Sequence, residues 1–164
     1  MKMIKVFKIE LLKAIANESE YTLMKQAKEI VTETKNYKSA FIEMKKHQVE
    51  SLYSISKYSN LTNLPGSTVI QFLKKQEEKD TKEKTWAFKP ESTKPSLSNK
   101  LRQVIETQKA SAKSLVEELS ETYENVLSGR NEIRDMLNFA YLQLVKNFIA
   151  HVVGWYYSIN MEEM

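Results

Sequence analysis

The chain has 164 residues with a net charge of +4, 41% hydrophobic and 28% charged residues, and no cysteine. That length holds one core-bearing domain without disulfides or metals, and the lack of Cys removes disulfide scaffolds, thiolate metal sites and a Cys nucleophile. Three glycines and three prolines are too few for the turns of a sandwich or barrel. The sequence therefore predicts an all-α fold in a single domain over 1–164: an elongated, antiparallel, coiled-coil-like bundle of three long helices and two short ones.

The positive excess is local. Lys2, Lys5, Lys8 and Lys13 stand against a single Glu10 in residues 1–16, and residues 74–100 hold eight lysines against five acidic residues. Nucleic-acid binders concentrate more charge and draw on more Arg than Arg102, Arg130 and Arg134, which argues against such a partner.

Residues 3–16 read as a short amphipathic helix, with Ile4, Phe7, Leu11 and Ile15 at three- and four-residue steps and lysines between them. Lys5, Lys8, Glu10 and Lys13 interrupt any secretory h-region, so a cytoplasmic location is expected. The composition also suits a helix lying in an anionic interface, through Phe7 and the lysines at 2, 5, 8 and 13. Asn17-Glu18-Ser19 reads as a boundary, with Ser19 as the N-cap of the second helix.

A single helix is expected from about 20 to 59, roughly 60 Å long at 1.5 Å per residue. Leu23, Ala27, Ile30, Tyr37, Phe41, Met44 and Leu52 form its seam, and Thr34 and Gln48 are polar positions that would set register. "NLTNLPGST" ends it, because Pro65 drives Leu64 out of helical geometry and Gly66 accepts a positive φ. A short helix comes next at 68–79.

From Gln76 to Ser96 the chain is charged, broken by Pro90 and Pro95 and without apolar period, which predicts a mobile linker. Within it, Trp86 and Phe88 must pack somewhere. They fold back on the bundle, anchor a partner, or make an interfacial membrane contact framed by Lys84 and Lys89. The third long helix runs from Ser96 or Ser98 to 127, with Gly129 as its C-cap signal. The last helix, 131–159, is apolar around most of its circumference and leaves only a narrow strip that includes Gln143, Lys146, Ala150, Gly154 and Ser158. Such a helix is surrounded by other helices or by lipid. Asn138, Lys146 and His151 oppose a membrane span, so the expectation is the centre of the bundle, or a seam completed by a partner through Trp155, Tyr156 and Tyr157.

Catalytic signals are missing. His47 has Glu43 and Glu50 at helical spacing but lacks the paired Glu-x-x-His motifs of a di-iron bundle, and His151 reads as a satisfied core histidine. No Walker, Rossmann or Gly-x-Ser-x-Gly pattern is present. No enzyme, cofactor or metal is expected.

The reading is a non-enzymatic interaction module that binds another protein, or itself as a homodimer, along a helical seam. The alternative is a peripheral membrane protein using the basic first helix. Three long helices also resemble, in architecture alone, a BAR-type curved dimer, and that resemblance implies a membrane-bound homodimer.

Overall fold

The computed structural model describes residues 2–58, 67–127 and 129–162, and among these it is helical without strands. In chain order the elements are α1 (Lys2–Glu18), a π-helical turn (Ser19–Leu23), α2 (Met24–Thr32), α3 (Lys38–Glu43), α4 (Lys46–Tyr58), α5 (Ser67–Lys79), α6 (Leu97–Thr122) and α7 (Arg130–Glu162). The turn predicted at 60–66 lies outside the described residues.

The expected boundary at Asn17-Glu18-Ser19 is instead the interior of one continuous helix. Phe7, Leu11, Ile15, Ser19, Leu23, Ala27 and Val31 recur every four residues and all are buried. A strict four-step drifts about 40° per repeat on a 3.6-residue helix. The wide turn at Ser19–Leu23 absorbs part of that drift and keeps α2 facing the same neighbours as α1.

The single helix expected over 20–59 is broken twice, and each break lies next to one of the polar seam positions. After Thr32 the backbone turns extended at Glu33 (φ −86°, ψ 128°), and the Asn36 amide donates to the Glu29 carbonyl at 3.0 Å, so a side chain takes an acceptor that the next helical turn would use. The second break is at Met44 (ψ 140°). There Gln48 Oε1 accepts from the Lys45 N–H at 2.8 Å and starts α4. Thr34 and Gln48 therefore belong to the ends of short helices rather than to a continuous seam. The continuous α1–α2 helix, not a helix over 20–59, is the long helix that stands beside α6 and α7.

α7 is the hub, packing on α1, the π-turn, α2, α3, α4 and α6. Lys8 lies over Phe139, Ser19 meets His151, and Lys28 lies over Trp155, so the α1–α2 helix runs parallel to α7. A short connection places α6 antiparallel to α7. α6 ends at Thr122, earlier than expected, and among the described residues of the connection the left-handed one is Asn125 (φ 64°) rather than Gly129. Asn is among the few side chains that take this conformation readily.

The segment expected to be a mobile linker is a packed loop. Asp80 accepts from the N–H groups of Thr85 (2.8 Å) and Ala87 (2.9 Å). Leu97 N–H donates to Phe88 O (2.9 Å), Ser98 N–H to Trp86 O (2.8 Å) and Tyr37 Oη–H to Pro95 O (2.8 Å). Of the two starts the sequence left open, Ser96 is the one that caps α6, accepting from Asn99 N–H, and Glu77 receives both Ser96 Oγ and Arg102.

Candidate interaction surface

The residues expected to be aromatic anchors are mostly inside. Trp86 is 1% exposed and meets Phe72 edge-to-face with centroids 6.2 Å apart. Phe88 is half-buried against Tyr37, 6.5 Å between centroids. They do fold back on the bundle, and this corrects the reading of Trp86 as a free partner anchor or membrane contact. Tyr156 is also buried, its hydroxyl donating to Met44 O at 3.0 Å. Trp155 is half-buried under the Lys28 ammonium, 5.3 Å from its ring centroid, and Tyr157 donates to Glu50 Oε1 at 3.0 Å. The aromatic run at 155–157 is thus held by α2, α3–α4 and their connection. The uncovered strip of α7 in this region includes the small residues Ala150 and Gly154.

His151 is a satisfied histidine, as its apolar neighbours suggest. Its Nε2 lies 2.9 Å from Ser19 Oγ at the π-turn, and burial holds its pKa below the ordinary value, opposed by the Ser19 contact. A Ser–His contact is one part of a nucleophilic site. Here Ser19 sits within a continuous helix, whose amides are engaged in helical bonds, and no third group orients the imidazole among the described contacts. His47 is exposed. Among the described residues no group of His, Asp and Glu is placed to hold a metal, and no helix is long and apolar enough to cross a membrane.

A further uncovered surface is on α1. Phe7, Leu11 and Ile15 are buried against the bundle, Phe7 stacking edge-to-face on Tyr123 at 6.3 Å. This removes Phe7 as a membrane-contacting residue: the apolar face the sequence offers to lipid is the face the fold consumes. The opposite side carries a second apolar stripe, Met3 (50% exposed), Val6 (37%), Ile9 (53%) and Leu12 (44%). Ile9 and Leu11 are two residues apart and so about 200° apart around the helix, which is why one is outward and the other inward.

Lysines interleave with this outer stripe. Lys5, Lys8 and Lys13 are exposed, while of Lys2 only the helical backbone is described. Lys13 pairs with Glu10 at 3.2 Å, an exposed pair of small worth. Lys8 leans toward α7, 5.8 Å from the Phe139 centroid, where Glu132 and Asp135 share the groove. Lys5 therefore stands beside Ile9 and Leu12 with its charge least countered. The sequence carries a signal for this face, a three-residue repeat at 3, 6, 9 and 12, which the stronger stripe at 4, 7, 11 and 15 hides.

Comparison with protein-family models, with curated proteins and with solved structures found no match to this chain.

Proposed function

We propose that the chain is a non-enzymatic helical docking protein that associates with an anionic membrane surface through the outer face of α1. The observation that carries this reading is the exposed stripe Met3, Val6, Ile9 and Leu12 on a helix whose other apolar face is already buried. Isolated exposed apolar residues need no explanation, but four in a row on one 17-residue helix are more than folding requires. The stripe winds around the convex outer half of the helix with Lys5 and Lys13 between its members. A fluid interface of headgroups and acyl chains accepts such a surface, with apolar side chains below the phosphates and ammonium groups among them. Each Lys near an anionic leaflet contributes about 1 kcal/mol, so the affinity from this helix alone is modest, reversible and salt-dependent.

The seam first expected for a protein partner is covered within the chain, since Leu23, Ala27, Ile30, Phe41, Met44 and Leu52 are all buried. The outer face of α1 is free to do the docking.

Flotation of the full chain with phosphatidylglycerol-containing and with pure phosphatidylcholine vesicles tests the proposal. Binding to the anionic vesicles only, weakened by salt and by Lys5→Gln with Lys13→Gln, is the expected result. Absence from anionic vesicles at low salt contradicts it. So does a concentration-dependent dimer that Leu12→Ser dissociates, which would make a second copy the occupant.

A further inference from the structure

α5, α6 and α7 meet around a cleft of about 470 Å³, within the size range of sites that hold small molecules. Ile70 and Leu137 supply apolar wall, together with Tyr141. Its lining holds Lys74, Lys109 and Lys113 with the carboxylate of Glu106, and Lys113 also faces Glu117 at 3.9 Å, which leaves Lys74 as the cation with no carboxylate among the described contacts. Tyr141 is 4% exposed, and its hydroxyl has no hydrogen-bond partner among the described residues. Buried hydroxyls are seldom left so, because an unmade hydrogen bond forfeits the full desolvation of the group. Burial, reinforced by the nearby Glu106 carboxylate, pushes the phenol far above its ordinary pKa. It is therefore a donor at every physiological pH, and what it lacks is an acceptor.

We propose that this cleft binds a small amphipathic carboxylate, of the class of a medium-chain fatty acid, whose acid group accepts from the Tyr141 hydroxyl and pairs with Lys109. The apolar chain lies along Ile70 and Leu137. The sign of the ligand comes from the lysines of the lining, its acceptor from the unpaired phenol, and its apolar body from the walls. Lys109 is the mobile part. Its ammonium lies 5.7 Å from the Tyr141 ring centroid and 3.0 Å from Glu106, with both side chains at least half exposed. An exposed ion pair of this kind breaks readily, so Lys109 exchanges Glu106 for the incoming carboxylate. None of this involves the outer face of α1.

Sodium octanoate titrated into the full-length chain, followed by protein NMR, is the test, with octylammonium as the probe of opposite charge. Saturable one-to-one binding of octanoate, with octylammonium inactive, is expected. Tyr141→Phe keeps the ring and removes only the donor, so it should weaken octanoate at least about tenfold, the scale of a hydrogen bond to a charged group. The free Tyr141→Phe protein should melt no lower than the wild type. No saturable binding at millimolar octanoate overturns the proposal, as does equal affinity of wild type and Tyr141→Phe, or equal binding of octylammonium. A lower melting temperature for free Tyr141→Phe also overturns it, because the hydroxyl would then have a partner within the folded chain.

Discussion

Leu11 and Leu12 are adjacent in α1, yet one is fully buried and the other 44% exposed, whereas Val152 and Val153, adjacent in α7, are both buried. Both helices are apolar around much of their circumference. α7 has neighbours on nearly every side and uses that composition to fill the core. α1 has neighbours on one side only, so half of its apolar residues have no role in folding. An all-round apolar helix is a core element only where the topology surrounds it; where it does not, the surplus stays exposed, and on α1 it is the surface proposed for docking.

The contrast can be pressed hardest in the core. Trp86→Ala should lower the free energy of unfolding by about 3–5 kcal/mol, the range for removing a buried large aromatic, measured by urea denaturation; a shift below about 0.5 kcal/mol, the usual range for surface substitutions, would mean that the loop is not packed as described. Within α1 the same method should separate neighbours. Leu11→Ala should destabilise by about 2–5 kcal/mol, and Leu12→Ala should stay within about 0.5 kcal/mol. Equal effects would erase the distinction between the two faces.

Asp80→Ala removes the acceptor of Thr85 and Ala87 and should destabilise by about 0.5–2 kcal/mol, as loss of a capping side chain does. Its pH dependence gives a sharper reading. Burial alone would raise the Asp80 pKa, but the N–H groups of Ala87, Thr85 and Lys84 and the Thr85 hydroxyl together hold it below the ordinary 3.8. The folded pKa is depressed, so the stabilisation is present above 3.8 and fades as pH falls through the lower folded value. The gap between wild type and Asp80→Ala should close in that acid window. The smallest effect belongs to His151. Its folded pKa lies below the ordinary 6.5, so the unfolded chain takes up the proton first and stability declines as pH drops below 6.5 toward the folded value. His151→Gln should flatten that decline in a series of thermal melts.

Periodicity makes the bundle largely legible. The helical class, the start of α6 near Ser96 or Ser98 and the narrow strip of α7 that includes Ala150 and Gly154 can be read from spacing. Other features escape for physical reasons. Asn17-Glu18-Ser19 has the polarity of a boundary, but the four-residue repeat running through Ser19 continues the helix across a π-turn. Thr34 and Gln48 fit a heptad by position while hydrogen bonds around them end the helices there. The loop around Trp86 has no period to read, because one carboxylate and a few backbone bonds hold it. The outer stripe of α1 is masked by a stronger stripe on the same helix. The Tyr141 cleft exists only where three helices meet, which no local pattern encodes.

The most direct measurement compares wild type with the Ile9→Ser, Leu12→Ser double variant in flotation with phosphatidylglycerol-containing vesicles, with circular dichroism melts of both. The account predicts an unchanged helical spectrum, a melting temperature within a few degrees of wild type, and loss of vesicle binding in the variant. Flotation of the variant to the same extent as wild type would contradict the assignment of the outer face of α1 as the docking surface.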